Sequence, residues 1–148
     1  TEYVQSCDGG NCRQLSFPPF TFTGVNWKAG ALKAVGYIGG KKVTETIVRT
    51  PEQPARLNIG YFESGCPAGK RDLLIVNVRL EDKNGTLVPL NGKRIDLQVA
   101  GGRVVGPGHY NTEAGIASFL VATGEMGTLK LKASGEGLRI QETVRLKD

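Results

Sequence analysis

Three cysteines and one histidine are the side chains of this 148-residue sequence that could form a disulfide or a Cys/His metal site. Cys7 and Cys12 are separated by Asp-Gly-Gly-Asn, with Cys66 and His109 far along the chain. The two glycines make a tight reversal feasible, so Cys7 and Cys12 form a candidate disulfide. Such a bond suits an oxidising compartment. Zinc is the poorer reading, because a four-ligand set would consume all three cysteines and His109. No metal or cofactor site is expected.

Hydrolytic chemistry finds little support. Glycoside cleavage needs two carboxyls about 5 to 9.5 Å apart across one sugar site. Glu81 and Asp82 are adjacent, so on a strand they point to opposite faces. Asp82, just before Asn84-Gly85, reads as a turn cap. His109 has no second imidazole for a relay, and no Gly-x-Ser-x-Gly elbow is present. It reads as a solvated residue of a Gly/Pro-rich loop. Gly101-Gly102-Arg103 lacks the Lys-Ser/Thr ending of a phosphate cradle. No catalytic residue is assigned.

Sugar contact is the more serious option, since exposed rings can stack on sugar faces. Trp27, Tyr37, Tyr61, Phe62 and Tyr110 supply the rings, and Trp27, Tyr37 and Tyr110 are the candidate contacts. Core packing, interface packing and turn anchoring compete for the same residues. Aromatics make up only 7% of the chain and do not cluster, which favours the structural roles.

The elements that would position these residues are strands. Period-two alternation sets Leu74, Val76, Val78 and Leu80 on one face, with Asn77, Arg79 and Glu81 opposite. Ile95, Leu97 and Val99 repeat the pattern, as do Leu129, Leu131 and Ala133. The last run aligns Leu138, Ile140, Val144 and Leu146, but Glu142 breaks that face at a strand end, a bulge or a crossing between sheets. Lys83-Asn84-Gly85-Thr86, Leu90-Asn91-Gly92-Lys93 and further glycine clusters supply reversals. Strands about every ten residues predict an all-β, immunoglobulin-like antiparallel sandwich of about seven strands over residues 53–148.

Residues 1–52 read as a smaller or partial sandwich module. Ala31 to Tyr37 and Val43 to Val48 are strand-like, and Phe17-Pro18-Pro19-Phe20-Thr21-Phe22 suits an edge segment. Thr50-Pro51-Glu52-Gln53-Pro54 forms a stiff connector. A module of about 50 residues is small for an independent core. It should pack on the second module, on another copy, or on sequence outside this chain.

The net charge is +5, from 19 Lys and Arg against 14 Asp and Glu. Because Lys130 and Lys132 alternate with Leu129 and Leu131, the charge reads as a solvated sheet face rather than a nucleic-acid groove. No apolar stretch approaches the roughly 18 to 20 residues needed to span a bilayer. The polar start at Thr1-Glu2-Tyr3 suits a mature or excised segment.

The order of motifs resembles the C-terminal β-sandwich region of bacterial family 2 glycoside hydrolases, the β-galactosidase-like group. The resemblance runs through Pro19-Phe20-Thr21-Phe22, Trp27 to Tyr37, Gly40-Lys41-Lys42-Val43, Val48-Arg49-Thr50 and Pro54-Ala55-Arg56-Leu57. It continues through Val76-Asn77-Val78, Glu81 to Gly85, Leu87-Val88-Pro89 and Gly127 to Leu138, and so covers roughly residues 17–148. Two family features are missing: an Asn-Gly-Lys hairpin where Cys7 to Leu15 stand, and an Asn-Gly-Asp loop where Gly106 to Asn111 stand.

The resemblance implies a non-catalytic accessory region of an exported bacterial glycoside hydrolase. Its partners would be the catalytic barrel and other domains of the parent chain, with a homo-oligomer and carbohydrate as further options. It also implies a periplasmic, secreted or cell-surface location. The barrel, at about 250 residues, has no counterpart in these motifs. The turn grammar also resembles adhesin and invasin repeats, so the alternatives are a stalk or adhesion module of a bacterial surface protein and a carbohydrate-binding module.

Overall fold

A computed structural model describes residue 22, residues 24–61 and residues 68–147. Cys7, Cys12, Cys66 and Phe62 lie outside the described residues, as does the expected disulfide. Every regular element among the described residues is a β-strand.

Strands β1 (Ala31–Ile38) and β2 (Lys41–Arg49) form an antiparallel hairpin. The turning residues Gly39 and Gly40 have φ of 55° and 76°, the pair of left-handed conformations a two-residue type I′ turn requires. A bulge between Gly36 and Tyr37 shifts the register, so that Tyr37 faces Lys42. The two sequence runs thus mark real strands. Within the described residues they pair only with each other, and nearly all their side chains are exposed. A two-stranded hairpin is marginal by itself in water.

Residues 56–145 build the sandwich. One sheet has the order β3 (Arg56–Tyr61), β4 (Leu73–Glu81), β8 (Ile116–Thr123), β6 (Gly102–Val105). The other has the order β10 (Leu138–Arg145), β9 (Thr128–Gly135), β5 (Arg94–Ala100), β7 (His109–Asn111). All pairings are antiparallel. Leu74, Val76, Val78 and Leu80 of β4 join Phe119 and Val121 of β8 on one side of the core. Ile95, Leu97, Leu129 and Leu131 close it from the other sheet, while Val99 is only partly buried at its margin.

These residues give eight strands instead of about seven, and Gly101 is the reason. It divides one extended run into β5, which belongs to one sheet, and β6, which belongs to the other. Its φ is +85°, and a Cβ there would lie 2.2 Å from the carbonyl oxygen of Thr128. Only glycine lets the chain cross at this spot.

Glu142 is explained by none of the three expected irregularities. The β9–β10 register runs unbroken from Leu138 opposite Gly135 to Arg145 opposite Thr128, placing Glu142 opposite Leu131. Because β10 is the sheet edge, Glu142 stays exposed. A charge on the core-facing side of an edge strand discourages pairing with another chain.

The two outer faces differ. Arg94, Gln98, Lys130, Lys132, Arg139 and Gln141 make one of them polar, as the alternation predicted. On the other, Leu73 and Ile75 of β4 and Leu120 of β8 point away from the core and are 59%, 48% and 37% exposed.

Candidate functional site

The densest polar arrangement lies where the linker from the hairpin meets the sandwich. Strand β4 ends at Glu81, and the chain turns through Asp82 to Thr86. The amide of Asp82 donates to the Thr86 carbonyl at 2.9 Å, and Gly85, with φ of +81°, donates to the Asp82 carbonyl at 3.0 Å. The Asp82 carboxylate accepts the amides of Asn84 at 2.8 Å and Thr86 at 2.9 Å. This is the turn cap read from the sequence.

The other carboxylate oxygen of Asp82 accepts the amide of Glu52 at 3.1 Å. Lys83 Nζ pairs with Glu52 Oε2 at 2.9 Å, Asn84 Nδ2 donates to Glu52 Oε1 at 3.4 Å, and the amide of Ala55 donates to the Glu81 carbonyl at 2.8 Å. Arg56 completes the arrangement by donating from Nε to Glu81 Oε2 at 2.9 Å. The linker is therefore latched to the end of β4 by side-chain and backbone bonds together. Although Asp82 is fully buried, which by itself pushes its carboxyl up, the amides of Thr86, Glu52 and Asn84 outweigh that cost and hold it below its ordinary value. Sequence reasoning found the cap and missed the latch, because the Glu52 amide carries no side-chain signature.

Glu81 and Asp82 thus serve Arg56 and three backbone amides respectively. Among the described residues, no three His, Cys, Asp or Glu side chains gather as a metal-binding group. Likewise no described helix is long and apolar enough to cross a membrane. His109 lies not in a loop but at the start of β7, exposed, in register with Asp96. The Asp96 carboxyl is held low first by Arg94, whose Nη2 donates to it at 2.9 Å, and to a smaller extent by His109.

No ring contact joins the three candidate sugar contacts among the described residues. Tyr110 lies on β7 opposite Ile95, with its ring edge-on to buried Phe119 at a centroid distance of 5.3 Å and an interplanar angle of 67°. That contact anchors it to the core. Tyr37 is 63% exposed on β1. Trp27, before the hairpin, is 80% exposed. Tyr61 closes β3 at 37% exposure. A shallow groove over the linker is lined by Pro51, Glu52, Gln53, Pro54, Ala55 and Lys83, without an aromatic ring.

No protein-family model matches the chain. A β-galactosidase of Rhizobium radiobacter is 29% identical over 121 residues, covering 80% of this chain and 86% of that sequence. A β-galactosidase of Thermoanaerobacter pseudethanolicus is 26% identical over 144 residues, which is 90% of this chain but only 19% of the relative. Among solved structures, a glycosyl hydrolase family 2 member from Bacteroides cellulosilyticus superposes with a TM-score of 0.66 at 17% identity. That match covers 84% of this chain and 18% of the other. The D00-D0 domain of intimin superposes with a TM-score of 0.51 at 13% identity, covering 82% of this chain and 66% of that domain pair. The resemblance to a region of family 2 glycoside hydrolases therefore stands, as does the antiparallel sandwich. The chain spans about a fifth of the length of the Thermoanaerobacter relative.

Proposed function

We propose that this chain is a non-catalytic accessory region of an exported bacterial glycoside hydrolase of the β-galactosidase type, divided at about residue 52 into two modules. Its work is to hold other domains of the parent polypeptide in place. The observation that carries this reading is the pattern of coverage: nine-tenths of this chain aligns with a fifth of a β-galactosidase. Two structural features support it. The hairpin exposes Leu32, Ile38 and Val48, as expected of strands that belong to a larger sheet. The Asp82 latch fixes the linker, as expected where two domains must keep one geometry.

Aryl-galactoside hydrolysis and glycan-array binding, measured in parallel on the purified chain, test this reading. Neither activity is expected. Turnover that survives further purification would overturn the non-catalytic assignment. Specific glycan binding lost in Trp27→Ala or Tyr37→Ala would favour a carbohydrate-binding module instead. Export is tested by fractionating the source cells, where recovery of the parent polypeptide in the cytoplasm would defeat it.

The second reading is a stalk or adhesion module of a bacterial surface protein, favoured by the likeness to intimin in fold. The flanking gene sequence separates the two: a long barrel-encoding region fits the hydrolase, and tandem copies of the sandwich fit the stalk.

A further inference from the structure

The two outer faces of the sandwich are built for different surroundings. The β10-β9-β5-β7 face carries no large apolar side chain at its outward positions. On the β3-β4-β8-β6 face, the registers align Ile75 of β4 with Leu120 of β8, and Leu120 with Val105 of β6. The next row along places Leu73 beside Ala122, and Ala122 beside Arg103. Five apolar side chains thus form one contiguous block across three strands. Isolated exposed apolar residues need no explanation, but a contiguous block with a polar rim marks a contact surface.

The charge left unpaired on the rim is of one sign. Arg56 on this face is paired with Glu81, and Arg71 beyond its end is paired with Glu125. Arg79 and Arg103 are exposed and form no ion pair among the described residues. At the outward positions of the four strands no acidic group is left unpaired. A second copy docking face to face would bring arginine rims against each other. The block contains no aromatic ring, which leaves nothing for a sugar to stack on.

Resting on the accessory-region reading above, we infer that this face docks against another domain of the same parent polypeptide, through a surface with an apolar centre and an acidic rim. Apolar burial at the centre and charge complementarity at the rim then divide the labour, one holding the domains together and the other fixing their register. Leu73, Ile75 and Leu120 are the contact residues, and Arg79 and Arg103 set the orientation.

The test uses the full-length polypeptide that contains this chain. A photo-cross-linking phenylalanine analogue is placed at Ile75, at Leu120 and, as a control on the opposite face, at Lys132. Each protein is checked for a cooperative melt at the wild-type temperature, irradiated, and mapped by mass spectrometry. The expected result is an intramolecular cross-link from positions 75 and 120 to an Asp/Glu-rich peptide outside residues 1–148, absent from position 132. Arg79→Glu with Arg103→Glu should lower its yield several-fold at low salt, and less at high salt. Cross-links confined to residues 1–148, cross-links to a second copy, or none at either position would each overturn the inference. If the polypeptide proved to hold no glycosidase domain while the cross-link to another domain still formed, the glycosidase reading would fall and the docking face would stand.

Discussion

The carboxylate of Asp82 accepts the backbone amide of Glu52, thirty residues earlier in the chain, at 3.1 Å. This bond turns a local turn cap into a fastening for the linker. It fastens the linker to the sandwich three residues after β2 ends at Arg49.

The latch has a pH signature. Since the folded carboxyl of Asp82 lies below its ordinary value of about 3.9, its contribution is complete above that value. The contribution is then lost as pH falls through the folded one. Asp82→Asn keeps the shape but replaces one of the two accepting oxygens with an NH2 donor and removes this titration. The variant should melt lower than wild type at neutral pH, and the gap should narrow below about pH 4. Thermal melts of both proteins from neutral pH into acid check this; a constant gap would reject the role given to Asp82.

The inward and outward residues of the sandwich should separate cleanly in stability. Leu131 is fully buried, and Leu131→Ala should cost about 2 to 5 kcal/mol through lost burial and the cavity left behind. Leu73→Ala, at an exposed position on the isolated chain, should cost no more than about 0.5 kcal/mol. Urea unfolding of the two variants decides it, and equal losses would mean the facing of the strands is misassigned.

Much of this arrangement was legible because alternation is a local property. Leu129-Lys130-Leu131-Lys132 states which face is wet, and Asn84-Gly85 states where β4 turns. By contrast, the run Leu73-Leu74-Ile75-Val76 is apolar at every position. Period two carried back from Asn77, Arg79 and Glu81 sets Leu73 and Ile75 outward, but it could not reveal Leu120 beside them, since that block exists only once β4 and β8 pair. The latch was illegible for a related reason: its distant donor is a main-chain amide, and only the path of the linker brings it to Asp82.

Gly101 offers a sharper test of topology than any core residue. Gly101→Ala would force a methyl group to within 2.2 Å of the Thr128 carbonyl oxygen while keeping a positive φ. Backbone must move on both sheets, so the loss should reach about 1 to 3 kcal/mol, the range for an overpacked site. The neighbouring exposed change Lys130→Ala should be close to neutral. A Gly101→Ala protein as stable as wild type in urea would show that the crossing does not need glycine.

Tyr110 and Trp27 should respond in opposite ways although both are aromatic. Tyr110 packs edge-on to Phe119, so Tyr110→Ala should lower the melting temperature and disturb the amide resonances of β5 and β8. Trp27, at 80% exposure, should be replaceable by Ala with no change in melting. Calorimetric melts of the two variants compare them directly. A destabilised Trp27→Ala protein would place that ring in a contact made by residues outside those described.

The hairpin can be examined in the intact chain through Glu45. Lys33 Nζ lies 2.7 Å from its carboxylate, and Lys42 donates to the same oxygen. The hydrogen bond from Lys33, then that from Lys42, lowers the Glu45 carboxyl to about 2. These groups are solvated, so the shift should shrink as salt screens the pair. Carboxyl NMR at low salt should show Glu45 ionised well below the ordinary carboxylate range. Lys33→Met should move its titration upward, and a high concentration of salt should do the same in the unaltered chain. Because Lys33 and Glu45 sit on different strands, an ordinary titration at low salt would mean that β1 and β2 do not hold this register in solution. The strands would then depend on a partner for their pairing as well as for their burial.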